Sequence, residues 1–497
     1  MLTEAPPSRP YVSEDRGDSS RLGTTTRRYW PRLTLALTLL AFLTHIPSFT
    51  RPLWNPDEGY LAVQARMLAH GGTLYETVVD RKPPLVPCLY EAMFALFGSD
   101  SLTAVRVCAV LAHVVTAVFL ASLARRRWGD TAGRTAGALY LLLSIGLNPE
   151  DAQAATFEVF MLPWTAAAMW CADRRRWGWC GLALAGAFLT KQTGGAVLLP
   201  AAWLLWRTER RRIGMLLRCA AAALTPIAAT ALATNPTGFV FWTVTGSGAY
   251  ASITGSELHV LARGLTNAAI LSLACAGVLP PIARVLRIAR TGCGDLWLWL
   301  ASSSVAVATG FHFFGHYYLQ LTPPIALLGT LALHILPRPH LHRTLLASTC
   351  VAALFLSWGL LAPRTELTHA QRLASAVREH TSPDERALIW GMHPETYWLS
   401  QRAPASRFLT AGLLTNFSGG RDGGKVGERY GVPGGWPTFR AELRSHPPAV
   451  IVDDSRGEGY GPGRVGSLRR LLAGYRAAAR VDGAVVYERV HAGRGRV

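Results

Sequence analysis

Apolar residues gather in runs of about 20, the length that crosses a bilayer, and such runs recur from residue 31 to residue 362. Residues 1–30 and 363–497 are polar or mixed. The pattern predicts a polytopic α-helical membrane protein in three parts: a disordered cytoplasmic arm over 1–30, a transmembrane domain over 31–362, and a small external soluble α/β domain over 363–497. The arm is rich in Pro, Ser, Thr and Arg, a composition that buries no core. A first span is expected over 32–49, followed by spans at about 102–124, 135–148, 156–172, 178–190, 194–206, 213–232, 263–283, 295–313, 317–336 and 343–362, giving 11 crossings. The excursion between the first two, residues 50–100, is neither a span nor a simple loop. It holds an amphipathic helical pattern over 59–70 (Tyr60, Val63, Met67) and a short apolar helix over 84–97 opening at Pro83-Pro84. Both are too short to cross and are expected to lie at the membrane interface.

Composition agrees with the pattern. Only 16% of the 497 residues are charged, against about 25% in a soluble domain, and mean hydropathy is +0.21. A purely soluble enzyme, a disordered protein and a small disulfide scaffold are excluded. The net charge of +19 sits in short loops, as Arg125-Arg126-Arg127, Arg174-Arg175-Arg176, Arg207 with Arg210-Arg211-Arg212, and Arg284, Arg287 and Arg290, while 147–156, 233–262 and 310–317 hold no Lys or Arg. This is the positive-inside signature and not a nucleic-acid surface. It predicts a cytoplasmic N-terminus held by an uncleaved signal-anchor, and an external tail. Gly246, Gly248 and Gly255 predict a flexible 233–262 loop. No cysteine pattern reads as a metal site.

The tail predicts helices over 368–380 and Trp436–Ser445, strands at Ala387–Trp390 and Ala449–Val452, and a mobile glycine-rich loop over 418–435. The run from Gly457 to Gly463 has the look of a dinucleotide loop, but its proline and the lack of a preceding βα context argue against one. No strong internal repeat is present, which weakens a transporter built from duplicated halves.

Chemistry concentrates on the outer turns. Asp57-Glu58 opens the 59–70 helix. Its plain reading is an Asp57 N-cap with Glu58 complementing the helix dipole; its functional reading is a general base at the membrane surface. Arg81-Lys82 stands before Pro83-Pro84, where cations either snorkel or grip a phosphate at headgroup depth. Of 50 basic residues only Lys82, Lys191 and Lys425 are lysine, so a retained lysine marks a place where a compact ammonium is wanted. The arginine excess suggests a GC-rich bacterial genome. Glu158 and Lys191 fall on outer turns, and ionisable residues at the membrane edge are functional candidates by default. His312 and His316, four apart, can pair on a helix face as metal ligands but lack a third. Tyr317 and Tyr318 read as an aromatic belt.

The first-loop Asp57-Glu58, the helix after it and Lys82-Pro83-Pro84 together resemble the GT-C membrane glycosyltransferases. The resemblance is to the family-39-like superfamily of protein O-mannosyltransferases and lipid A aminoarabinose transferases. Phe157-Glu158-Val-Phe-Met161, Phe188-Leu-Thr-Lys191-Gln192 and Gly315-His316-Tyr317-Tyr318-Leu-Gln320 extend it over about 50–330. The resemblance implies a GT-C-like fold and transfer of a monosaccharide from a polyprenyl-phosphate donor to an acceptor hydroxyl on a lipid, glycan or protein. It implies Asp57 as catalytic base supported by Glu58, Lys82 on the donor phosphate, Arg106 where the mannosyltransferases keep an arginine, and Glu158 and Lys191 facing the same cavity. By their place on the outer turns, Glu158 joins the catalytic candidates, and Lys191, Arg81, Arg106, His316 and Tyr317 join the donor-phosphate candidates. Two positions depart from the aminoarabinose-transferase pattern: Tyr60 replaces an arginine, and Arg81 replaces a glutamate implicated in metal binding. A zinc or other divalent metal site therefore lacks that ligand, and no cofactor or metal residue is assigned.

A phosphate leaving group calls for cations at headgroup depth and a carboxylate across the anomeric carbon, which predicts inversion. The expected setting is a bacterial plasma membrane, with lipid contacts and no nucleic acid. Two other readings are a transporter or flippase of a lipid-linked or anionic substrate, and a non-catalytic envelope assembly protein. The first predicts charges near mid-bilayer, whereas most here sit at span ends. The second predicts tolerance to Asp57→Asn and Lys82→Ala.

Overall fold

The computed structural model describes residues 19–246, 257–288, 292–417 and 425–490. Helix α1 is Ser19–Thr44, followed by a 3-10 turn at Ile46–Phe49. Of the expected irregular arm, 19–30 are the first turns of α1, and 1–18 lie outside the described residues. The outer excursion holds α2 (Pro56–Ala69) and α3 (Leu85–Phe97). The bundle continues as α4 (Thr103–Trp128), α5 (Asp130–Ser144), α6 (Pro149–Ala152), α7 (Phe157–Asp173), α8 (Trp177–Thr190), α9 (Leu198–Thr208), α10 (Arg212–Ala233) and α11 (Pro236–Val240). It ends with α12 (Glu257–Ala274), α13 (Leu279–Ile288), α14 (Gly294–Ala308), α15 (Thr322–Ile335) and α16 (Arg338–Leu361).

Among the described residues, four helical stretches are long and apolar enough to cross a membrane: Thr103–Trp128, Arg212–Ala233, Gly315–Ile335 and Arg338–Glu379. The expected single span at 263–283 is instead α12 and α13, bent by 83° at residues 275–278. Pro280 and Pro281 follow the break, where they fit the first turn of a new helix and not the interior of an old one. The expected span over 295–313 is helical only to Ala308, and the next begins as a 3-10 turn at Gly315–Leu321. Lipid-directed side chains stay open on the outside of the bundle, for example Leu35, Leu39 and Leu43 one turn apart on α1. Gly248 and Gly255 lie outside the described residues.

The tail begins with α17 (Thr365–Glu379) and alternates strands with short helices: β1 (Arg386–Trp390), α18 (Glu395–Ser400), β2 (Ala403–Pro404), α19 (Ala411–Thr415), α20 (Gly435–Ser445), β3 (Val450–Asp453), α21 (Gly466–Leu472), β4 (Tyr475–Val481) and β5 (Ala484–Arg489). The five-stranded sheet has the order β2-β1-β3-β5-β4, with β2, β1 and β3 parallel and β5 and β4 antiparallel. Leu388 pairs with Ile451, at the centre of the sheet. Both faces of β1 are buried: Ala387 and Ile389 join the core that runs into the bundle, while Leu388 and Trp390 join a second core. A continuous apolar run is what a central parallel strand covered on both sides requires. Part of the expected mobile loop, 418–424, lies outside the described residues, and Glu428–Tyr430 is a 3-10 turn.

The glycine run 457–463 does have a strand before it, β3, and a helix after it, α21, contrary to the reading from sequence. The helix has only 7 residues, and Glu428 already occupies its N-terminus, accepting from Ser467 N at 2.5 Å and Ser467 Oγ at 2.9 Å. A carboxylate therefore stands where a phosphate would sit.

The first outer loop joins tail to bundle. The second core mixes Leu68, Leu74, Tyr75, Val78 and Val79 with Trp390, Phe408 and Trp436 of the tail. Helix α2 is not the amphipathic surface helix expected, because Glu58, Gly59, Leu61, Ala62, Val63, Gln64, Ala65 and Leu68 are all buried. It lies between α3 and α18. A Cβ on Gly59 would stand 2.3 Å from Glu395 Cβ, so only glycine allows the two helices this close. Helix α3 keeps an apolar face open, with Leu96 and Phe97 each 70% exposed.

Candidate active site

Helix α2 is capped by Asn55, whose side chain accepts from Asp57 N at 2.9 Å, with Pro56 at the first helical position. Asp57 is therefore not the cap, and its carboxylate is left for other partners. Glu58 turns the opposite way into a buried knot. Its Oε1 accepts from Arg106 Nε (3.1 Å) and Ala155 N (2.8 Å), and its Oε2 accepts from Arg106 Nη2 (2.9 Å) and Trp54 N (2.8 Å). Arg106 spends its remaining donors on the carbonyls of Ser48 (2.7 Å), Arg51 (2.6 Å) and Pro52 (3.2 Å). Glu58 is 0% and Arg106 4% exposed. One ion pair thus ties together the chain leaving α1, the start of α2, α4 and the segment before α7.

Asp57 faces a second cluster. Lys82 Nζ donates to its Oδ2 at 3.1 Å, and His316 Nε2 lies 3.8 Å from the same oxygen. Glu158, in the first turn of α7, pairs with Lys191 at the end of α8, and His316 Nε2 is 3.9 Å from its Oε1. The other carboxylate oxygen of Glu158 is buried with no hydrogen-bond partner. Lys191 lies over the Tyr317 ring at 3.8 Å, and Lys82 over Phe157 at 4.2 Å. These cation–π contacts hold the ammoniums in place without neutralising them. Tyr317 belongs to this cluster, and Tyr318 is buried with its hydroxyl on the Gly264 carbonyl (2.8 Å), so neither reads as a belt residue.

His316 is aimed by features the sequence does not advertise. Its Nδ1 donates to Asp151 Oδ1 at 2.8 Å, and its ring stacks on Phe314 at 5.8 Å and 5°. Asp151 comes from the short α6, whose Asn148 cap accepts from Glu150 N at 3.4 Å. A Cβ at residue 315 would come within 2.1 Å of Asp151 Oδ2, so Gly315 is what lets the carboxylate reach the ring. Phe311 (φ 54°) and Phe313 (φ 51°) take up left-handed backbone just before it, conformations that cost of order 1–3 kcal/mol each. The His312 ring also stacks on Phe314, at 5.8 Å and 21°. The segment is not helical there, so the two histidines do not share the helix face that a metal pair at this spacing requires. Among the described residues no group of three His, Cys, Asp or Glu side chains is placed to hold a metal.

Burial would raise the Asp57 carboxyl, but Lys82, with His316 and Lys191 behind it, outweighs this and holds it at about 2. Asp80 is the contrast: burial pushes it up despite Lys82. A cavity of about 160 Å³ adjoins Asp57, lined by Arg81, Lys82 and Tyr317 on the bundle side and by Met392, Pro394, Thr410 and Phe417 on the tail side. Gln192, beside Lys191, donates to the carbonyls of Arg81 (2.6 Å) and Thr243 (3.0 Å) and fixes the cationic turn. The structure therefore gathers Asp57, Glu158, Lys82, Lys191, His316 and Tyr317, with Arg81 on the cavity wall, and sets Glu58 and Arg106 apart. Asp151 is the residue missed from sequence. Asn148-Pro149-Glu150-Asp151 reads there only as a helix start.

Behind the tail-side wall, His393 Nδ1 donates to Glu395 Oε1 at 2.9 Å, with Glu366, Asp454 and Arg456 around it. Burial lowers the imidazole, but Glu395 and then Asp454 outweigh burial and Arg456 and raise it to about 9. A group raised on folding contributes stability that is complete below its unfolded value, roughly 6.5, and is lost as pH climbs through the folded one. The melting temperature of the full chain should therefore fall between about pH 6.5 and pH 9, and His393→Gln should flatten that decline. Parallel slopes for the two proteins in a thermal melt series would remove His393 from this role.

Residues 81–245 match the family model described as dolichyl-phosphate-mannose-protein mannosyltransferase. In fold, the chain is similar to ArnT from Cupriavidus metallidurans bound to undecaprenyl phosphate, with a TM-score of 0.61 at 16% identity over 93% of this chain and 98% of that one. The apo ArnT structure gives the same score and identity over 94% and 98%. The Archaeoglobus fulgidus oligosaccharyltransferase tethered to an acceptor peptide is similar at a TM-score of 0.50 and 12% identity, over 94% of this chain and 75% of that one. No curated protein matches the sequence. The chain thus has the fold of the GT-C membrane proteins that its first-loop residues resembled, and a third of it, residues 81–245, matches a protein mannosyltransferase family model.

Proposed function

We propose that the protein transfers a monosaccharide from a polyprenyl-phosphate donor to an acceptor hydroxyl, with inversion, at the cavity beside Asp57. The observation that carries this reading is the pairing of Asp57 with Lys82 at 3.1 Å on one wall of a cavity also lined by Arg81. When the glycosidic C–O bond breaks, its electron pair goes to the phosphate, whose charge rises from about −1 to −2. Lys82, Arg81 and, behind them, Lys191 meet a charge that grows in the transition state, which is where binding accelerates a reaction. The acceptor oxygen attacks from the opposite side, and its proton passes to Asp57. A carboxylate held at about 2 is always ionised, so it is available to accept that hydrogen bond. As the phosphate draws Lys82 away, the carboxylate becomes more basic at the moment it is needed. His316, oriented by Asp151, and Glu158 keep the two lysines distributed around the site. Glu58 and Arg106 act as positioning residues, setting the pitch of α2.

The matching fold of an ArnT bound to undecaprenyl phosphate supports the choice of donor. The arginine-rich loops support a topology of 11 crossings with a cytoplasmic N-terminus and an external tail in a bacterial plasma membrane. The tail, forming one wall of the cavity, then takes part in acceptor recognition. The test of function is release of free polyprenyl phosphate from a panel of radiolabelled polyprenyl-phosphate sugars by the purified chain in lipid nanodiscs, with envelope extract as acceptor. One donor should be consumed. Consumption of none, with extract present, would overturn the reading. For topology, Ser382 is exposed and lies in the cysteine-free tail, so a Ser382→Cys chain should react with an impermeant maleimide on intact cells beyond the background of the unchanged protein. Labelling only after lysis would reverse the orientation.

A further inference from the structure

The arginine-rich end of the bundle lies far from Asp57. Fifteen residues of α7 separate Glu158 from Asp173, about 22 Å of helix. A cavity of about 680 Å³ opens at that end, lined by Trp30, Ser122, Arg125, Arg126, Trp170 and Arg174, with the Asp130 carboxylate on its wall beside Arg125. Its cations outnumber their partners. Asp173 is shared by Arg127 (2.9 Å), Arg126 (3.2 Å) and Arg174 (3.9 Å), while Arg127 also reaches Asp295 (2.8 Å) and Arg125 takes Asp130 (2.6 Å). Four guanidiniums thus meet three carboxylates.

The wall is built, not merely charged. Arg174 lies over the Trp170 ring at 4.1 Å, and both side chains donate to Ser122 Oγ, at 3.1 and 2.9 Å. That arrangement pins the guanidinium flat, and its Nη1 is buried with no hydrogen-bond partner. Its ion-pair partner, Asp173 Oδ2, stands 3.9 Å away, too far for a hydrogen bond, so a closer anionic acceptor would satisfy it. An apolar track leads to it along α4: Leu111 and Val115, each 44% exposed, are followed at helical spacing by Phe119, then Ser122, then Arg126. Apolar side chains giving way to a hydroxyl and then to guanidiniums reproduce the order of acyl chain, glycerol and phosphate.

We propose that this cavity binds the phosphate of an anionic glycerophospholipid from the leaflet at the arginine-rich end, with an acyl chain along Leu111, Val115 and Phe119. The site is separate from the transferase site and does not depend on that reading. A soluble phosphate would satisfy the arginines but leave the apolar track unused, whereas a lipid satisfies both.

The experiment is native mass spectrometry of the full chain released from detergent micelles, titrated with phosphatidylglycerol, with phosphatidylcholine and with inorganic phosphate. Arg126→Ala/Arg174→Ala is compared with Arg210→Ala/Arg211→Ala, which removes equal charge at the same end, where Trp177 Nε1 donates to the neighbouring Glu209 (3.0 Å). Wild type and the Arg210/Arg211 variant should each retain one phosphatidylglycerol in preference to phosphatidylcholine. The Arg126/Arg174 variant should bind it about tenfold more weakly or worse, and phosphate should not displace it. Equal loss in both double variants would reduce the effect to general surface charge, and displacement by phosphate would make this a soluble-anion site; either overturns the proposal. Should the Arg126/Arg174 variant fail to fold, Val115→Trp blocks the track with the arginines intact. It should cost a similar factor in phosphatidylglycerol binding while leaving the melting temperature in phosphatidylcholine unchanged, and unaltered binding would sink the proposal.

Discussion

Asp57→Asn is expected to fold, to keep its donor and to lose transfer by about 10²- to 10⁴-fold, the usual contribution of a positioned base. The amide is isosteric, and Asn55, not Asp57, caps α2, so the helix start survives the change. What disappears is the carboxylate beside Lys82, the proton acceptor of the proposed reaction. Because Lys82 is then freed from its carboxylate, donor affinity should hold or rise, and the loss should fall on kcat and not on KM. Product release measured over a donor titration separates the two. Full activity in Asp57→Asn would remove this residue as the base, whatever becomes of the enzyme class.

Arg106→Ala should instead act on folding. It leaves the fully buried Glu58 stripped of its partner, and also abandons three carbonyls. Breaking one side of a buried pair costs about 3–5 kcal/mol. The expected outcome is a large drop in melting temperature or no monodisperse protein at all, and Arg106→Lys should rescue little, because an ammonium cannot make the two-pronged contact to Glu58. A melting temperature equal to wild type with activity lost would return Arg106 to the donor-phosphate role expected from sequence.

The contrast between these residues marks what the sequence could disclose. Asp57, Lys82, Glu158 and Lys191 were legible because each stands at the edge of an apolar run, and because lysine is scarce in a chain that otherwise uses arginine. Glu58 is adjacent to Asp57 but points to another side of the same helix, a distinction that depends on the cap and not on residue type. The i, i+4 spacing of His312 and His316 fails because left-handed backbone at Phe311 and Phe313 replaces a helix, and two phenylalanines give no warning of it. In the tail, β1 and β3 were readable as apolar runs. β4 was not, since Tyr475–Val481 lies on the rim, largely exposed, with no alternation to detect. Asp151 stayed hidden because its role exists only once Gly315 is folded against it.

The seat of α2 between α3 and α18, where Gly59 allows no side chain, has a consequence for how the protein matures. The helix that carries Asp57 has one flank on the bundle and the other on the tail, so insertion of the helices alone leaves it half supported. On the reading proposed above, chemistry would wait until the tail from Thr365 onward is folded against α2. A chain cut before Thr365 would, on the same reading, keep its cationic cluster but lose the support that holds Asp57 in register with it.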